Sequence, residues 1–127
     1  MELINTIKRD LIQYIDMEME RVQIQNILTR LRREMAKGYT SEPAVALETL
    51  YVKKLDEICQ HKRCVEELIA TLDGEELDVM KWRYINGLTW DKVAEAMSYS
   101  YTNVHRIHNK ALKRLANNIK EVTDNAN

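Results

Sequence analysis

Apolar residues recur along this chain at steps of three and four, the period of helices packed on one face. Ile4, Ile7, Leu11, Ile15, Val22 and Leu31 recur near such steps, and Met19, Ile27, Leu28 and Met35 fill a broad stripe. Nothing interrupts the pattern over residues 2–37, which predicts a helix about 54 Å long. Gly38 suits a left-handed C-terminal cap, and Pro43, after a short polar loop, suits the first turn of a second helix. There Tyr51, Leu55, Ile58, Val65, Ile69 and Leu72 carry the stripe, with Lys62 as its polar interruption. Two long amphipathic helices joined by a short loop predict an antiparallel hairpin over residues 1–72. The stripes are wider than one seam requires, which points to a homodimer through these helices. The competing reading is a monomeric hairpin whose spare apolar face covers the following module.

Asp73-Gly74-Glu75-Glu76 marks the next boundary, with Asp73 as a cap and Glu76 completing a capping box. In the helix that follows, Leu77, Met80 and Tyr84 share one face, expected to look towards the C-terminal module. Val79 and Trp82 fall on the other side, expected to rest on the hairpin or to serve as a partner interface. Asn86-Gly87 ends the helix. Thr89 then caps a short helix with Trp90, Val93, Ala94 and Met97 on one face. Ser98-Tyr99-Ser100 breaks the run, because serines favour local side-chain bonds to the backbone. Ser100 caps a last helix striped by Val104, Ile107, Ala111 and Leu115. A short helix, a tight turn and a longer helix make a helix-turn-helix, placed in a domain of residues 73–117. Residues 118–127 are polar without a stripe and are expected to be a disordered tail.

Composition supports an all-α fold. Gly is only 3, Pro is 1 and Phe is absent, so turn formers are scarce. The formal net charge of −1 argues against a nucleic-acid protein until its distribution is considered. Residues 101–120 hold five Lys or Arg and no Asp or Glu. At helical spacing, Thr102, Arg106, Asn109, Lys110 and Lys113 lie opposite the apolar stripe, with His105 on the flank. A basic, hydrogen-bonding face backed by an apolar one suits a helix in the DNA major groove. A solvated surface helix is the plainer reading, and the short helix before it tips the balance towards DNA.

No segment approaches the roughly 18 consecutive apolar residues of a membrane span, so no membrane partner is expected. Lys8, Arg9 and Asp10 interrupt any signal-peptide pattern. Cys59 and Cys64 lie about 140° apart around a helix, which suits neither a disulfide within the helix nor a shared metal. They are read as reduced thiols of a cytoplasmic protein. There is no Gly-rich phosphate loop and no His-x-Glu with paired Cys, so neither enzyme activity nor a cofactor or metal is expected.

The stretch WRYINGLTWDKVAEAMSYSYTNVHRIHNKALKRL resembles the fourth conserved region of bacterial sigma factors, which reads the promoter −35 element. The shared features are Arg83-Tyr84, the Gly87-Leu88-Thr89 turn, Val93-Ala94, Ser100, Val104, Ile107 and the Lys110-Ala111-Leu112 run ending at Leu115. It is more similar still to small phage and prophage regulators that carry such a module behind a helical N-terminal half. Tyr99-Ser100-Tyr101, Val104-His105-Arg106 and Ala111-Leu112-Lys113 are characteristic of these, late-gene activators of the RinA and ArpU type among them. Lys92 departs from the pattern, where an acidic residue would complete a box with Thr89.

The resemblance implies double-stranded DNA as partner, in the cytoplasm of a bacterial host cell. It also implies base contacts from Tyr101, Thr102, His105 and Arg106, at the front of the recognition helix. Arg106 leads, since a guanidinium can bond O6 and N7 of guanine together. Asn109, Lys110, Lys113 and Arg114 lie further along and suit phosphates, as does the helix start at Thr89 and Trp90. His108 and the Trp90 ring are assigned to packing. The corresponding sigma region binds the flap of the RNA polymerase β subunit, which makes RNA polymerase a candidate partner for Val79 and Trp82. Two other functions compete with a transcription regulator. A small terminase subunit would recognise phage DNA for packaging as rings of eight or more chains. A helical interaction module would bind an acidic protein and no DNA.

Overall fold

The computed structural model describes residues 2–126, with side chains described through residue 121. The elements are α1 (Glu2–Ala36), α2 (Glu42–Ile69), α3 (Gly74–Met80), a π-helical segment (Lys81–Ile85), α4 (Trp90–Met97) and α5 (Tyr101–Ala126). No strand occurs among the described residues. Gly38 closes α1 with φ at +100°, the left-handed conformation expected of it. Ser41 caps α2 by accepting from the Ala44 amide at 3.3 Å. Asp73 is extended but makes no side-chain cap bond, and Glu76 accepts from Arg114 Nε at 2.6 Å. The expected capping box therefore does not form: an ion pair with α5 has taken its carboxylate.

Residues 16–63 form one compact unit, and residues 1–15 with 64–127 form the other. The division differs from the boundary expected at residue 72. Within the first unit, α1 and α2 run antiparallel around Ile24, Leu28 and Ile58, with Met17, Tyr51 and Leu55 at the margin. Met19, Val22, Val45, Leu47, Leu50 and Val52 point outwards instead. Glu18 accepts from Arg21 and from Lys62, so the polar interruption in α2 meets an acid on α1. The Arg21 fork and the Lys62 ammonium hold the Glu18 carboxyl down at about 2.

In the second unit, Ile7, Leu11 and Tyr14 of α1 meet Val65, Ile69 and Leu72. The same cluster takes in Met80, Tyr84, Ala111, Leu112, Leu115 and Ala116. Leu77, Met80 and Tyr84 do share one face, as the periodicity predicts, and that face packs on Ala111, Leu112, Leu115 and Ala116 of α5 as expected, and on the helices of the N-terminal half as well. Val79 lies on the other side and is fully buried with Val93, Ala94, Val104 and Ile107. Val79 thus meets the helix-turn-helix where the hairpin or a partner was expected. Trp82 follows neither, at 39% exposed. It lies in the π-helical segment, where Asn86 N donates to Lys81 O across five residues and the wider turn takes side chains off the α-helical register. α5 also passes the limit expected at residue 117. Asn118 Nδ2 donates to Thr71 Oγ1 at 2.8 Å, and Ile119 packs on the core cluster. Of the expected tail, Asn127 and the side chains beyond residue 121 lie outside the described residues.

Candidate DNA-binding module

The turn between α4 and α5 is built by its own residues. Thr89 Oγ1 accepts from Lys92 N at 3.4 Å to open α4. Ser98 closes it in the left-handed conformation, φ 57°, while the Tyr99 amide donates to Ala94 O. Ser100 Oγ accepts from the Asn103 amide at 3.1 Å and starts α5. Tyr99 Oη donates to the Glu75 carboxylate and so fastens the turn to α3. Beneath lies an apolar cluster of Val79, Val93, Ala94, Val104 and Ile107, with Leu88, Trp90, Met97 and Tyr99 at its edge. These contacts give α4 and α5 a fixed relative placement.

Arg83 holds the preceding turn. Its Nη1 donates to Leu88 O at 2.8 Å, and its Cζ lies 4.9 Å from the Trp90 ring centroid. The Trp90 ring also meets His108 edge-on, with centroids 4.7 Å apart. His108 is 7% exposed, and its Nε2 shares a 2.7 Å hydrogen bond with Tyr84 Oη. Loss of hydration pushes the imidazole down to about 4, reinforced by the neighbouring charges of His105, Lys8 and Arg83. Burial pushes the Tyr84 phenol up. Both rings are structural, as expected for His108.

Residues 68–117 match the family described as sigma-70, region 4. The match takes in the end of α2, α3, the π-helical segment, α4 and the first part of α5, so the C-terminal helix-turn-helix is similar to that region. No curated protein and no solved structure matches the chain. No described helix is long and apolar enough to cross a membrane.

On the outer side of this helix-turn-helix, Tyr101, Thr102, Arg106, Asn109, Lys110 and Lys113 are all exposed along α5. Arg106 is already engaged: its Nε and Nη2 donate to Asn103 Oδ1 at 3.1 and 2.8 Å. His105 departs from its expected freedom. Its ring lies tilted between Tyr101 and Trp90, with centroids 4.3 and 4.4 Å away, and its Nε2 is buried without a hydrogen-bond partner. Arg114, expected on a phosphate, is tied to Glu76 instead. Beside that pair, Lys110 and Lys113 line an open polar groove of about 400 Å³ with Asn117, Asn118 and Glu121. Thr89 is exposed but spends its hydroxyl on the α4 cap. Val79, offered as a partner contact, is 0% exposed and belongs to the module's interior. Trp82 and Ile85 remain at the surface.

The Asn103–Arg106 pair and the clamp by Arg83 were not anticipated. The first was accessible in principle, since the two residues are three apart on a helix. The second was not, because it depends on how the Gly87-Leu88 turn folds back.

Proposed function

We propose that this chain is a sequence-specific DNA-binding transcription regulator of phage or prophage type, with α5 reading promoter DNA in the major groove. The observation that carries this reading is the exposed, acid-free row of Thr102, Arg106, Asn109, Lys110 and Lys113, mounted on a helix whose other side is fixed in two apolar clusters. Thr102 and Arg106 lie near the front of the helix, where recognition helices approach base edges, with Tyr101 at its start. Asn109, Lys110 and Lys113 follow along the helix and suit phosphates. RNA polymerase is a second proposed partner, with Trp82 and Ile85 as its apolar contacts. A second copy of the chain is the third, through the outward apolar residues of α1 and α2.

The test is titration of wild type, Arg106→Ala and Lys113→Ala on a selected duplex and a scrambled one across a salt series. Arg106→Ala should cost roughly 1–3 kcal/mol on the selected duplex and relax preference at one base pair. Lys113→Ala should weaken both duplexes about equally and lower the salt slope by about one. Equal losses on both duplexes for Arg106→Ala would make it a backbone contact and overturn the groove assignment. Sedimentation of the full chain checks the second copy, and a strictly monomeric protein would exclude it.

A further inference from the structure

Asn103 occupies the third position of α5, where an acidic residue would ordinarily reach back to the cap. Here the cap is closed through the backbone, with the Asn103 amide donating to Ser100 Oγ. The side chain looks forward along the helix instead, and Oδ1 accepts from Arg106 Nε and Nη2. A guanidinium carries five N–H donors in a rigid planar fork, and this contact uses the edge shared by Nε and Nη2. The outer edge keeps both hydrogens of Nη1 and the second hydrogen of Nη2. Two parallel donors in one plane complement the adjacent O6 and N7 acceptors of guanine.

Arginine is long and loses much rotamer freedom when it is fixed. A side chain already held in the free protein loses less on binding, and it presents its fork in one plane. We infer that Asn103 is a positioning residue of the DNA-reading face, holding Arg106 so that its outer edge selects guanine at one base pair. The inference rests on the DNA-reading function proposed above. It adds what sets the geometry of the contact, and it makes Asn103 a determinant of specificity without a base contact of its own.

The experiment uses the full chain and a duplex selected from a random library, with its guanine–cytosine pairs replaced one at a time. Wild type, Asn103→Ala, Asn103→Asp and Arg106→Ala are titrated on each. In parallel, the Arg106 Nε–H signal is followed by NMR without DNA. Wild type should show a guanine preference at one position that Arg106→Ala removes. Asn103→Ala should reduce that preference by at least about fivefold, within the range of a bidentate base contact. Asn103→Asp keeps the acceptor and should keep the preference, while its charge weakens binding to every duplex. The Arg106 Nε–H should be protected from exchange in wild type and exposed in Asn103→Ala.

Full guanine preference in Asn103→Ala, with loss in Arg106→Ala, would overturn the positioning role and leave the proposed function standing. An Arg106 signal identical in wild type and Asn103→Ala would overturn it whatever the titrations gave. A wild type indifferent to duplex sequence would overturn both readings. Circular dichroism should match for all variants, because the Ser100 cap does not use the Asn103 side chain.

Discussion

Lowering the pH should destabilise this protein through one identifiable group. His108 lies buried among Tyr84, Trp90 and the apolar residues of α5, and its imidazole is pushed from 6.5 down to about 4, mainly by burial. The unfolded chain takes up this proton near the ordinary histidine value, whereas the folded protein resists it until about 4. The contribution to stability is therefore complete above about pH 6.5 and declines as pH falls through the folded value. Linkage gives a loss of about 2 kcal/mol at pH 5 and about 3 kcal/mol at pH 4, a large fraction of an ordinary domain's stability. The assay is urea unfolding followed by far-UV circular dichroism at a series of pH values, for wild type and His108→Gln. Glutamine can keep a hydrogen bond to Tyr84 but cannot titrate. The variant should start less stable near neutrality and lose less on acidification, so that the two curves converge. Parallel curves between about pH 6.5 and 4.5 would show that His108 is protonated as readily in the folded state as in the unfolded one, and would refute the reasoning.

Val79→Ala should cost roughly 1–3 kcal/mol in chemical denaturation, because it empties a fully enclosed site between α3, α4 and α5, whereas Trp82→Ala, at a site 39% exposed, should stay below the roughly 3–5 kcal/mol of a fully buried aromatic. A loss within that range would mean that the tryptophan is packed. Glu18→Gln should cost no more than about 1 kcal/mol, since the carboxylate that meets Arg21 and Lys62 is 44% exposed and screened. Its carboxyl is held at about 2, so the contribution is present above about pH 4.5 and is lost as pH falls through 2, mostly below the window of His108. The effect should shrink when denaturation is repeated in molar salt, and a salt-independent loss would contradict the ion-pair account.

Features encoded over a few residues were legible in the sequence. Gly38, Thr89 and Ser100 act as the expected caps because capping is chemistry between near neighbours along the chain. The hairpin and the exposed basic row of α5 follow from one period applied to apolar and charged positions. His108 and Trp90 were assigned to the interior by the same period, and both pack there. In α1 the period places Met19 and Val22 in the stripe, whereas Tyr14 and Ile24 are the residues buried.

Periodicity says which residues share a face and leaves open what that face meets. The face of Leu77, Met80 and Tyr84 was correctly grouped, yet its neighbours depended on α5, which serves two clusters at once. Val104 and Ile107 look to the helix-turn-helix, and Ala111, Leu112 and Leu115 look to α1 and α2. Trp82 reached the surface because the π-helical segment departs from the spacing on which the reading relied. Glu76 and Arg114 are 38 residues apart, so only the packing of α3 on α5 could pair them. The sequence by itself determined the helices, the caps at Gly38, Thr89 and Ser100 and the charge of the outer face, since those depend on spacing along one chain. Tertiary structure decided which apolar faces meet and which polar side chains remain free on the outer face of α5, since both depend on groups brought together from distant parts of the chain.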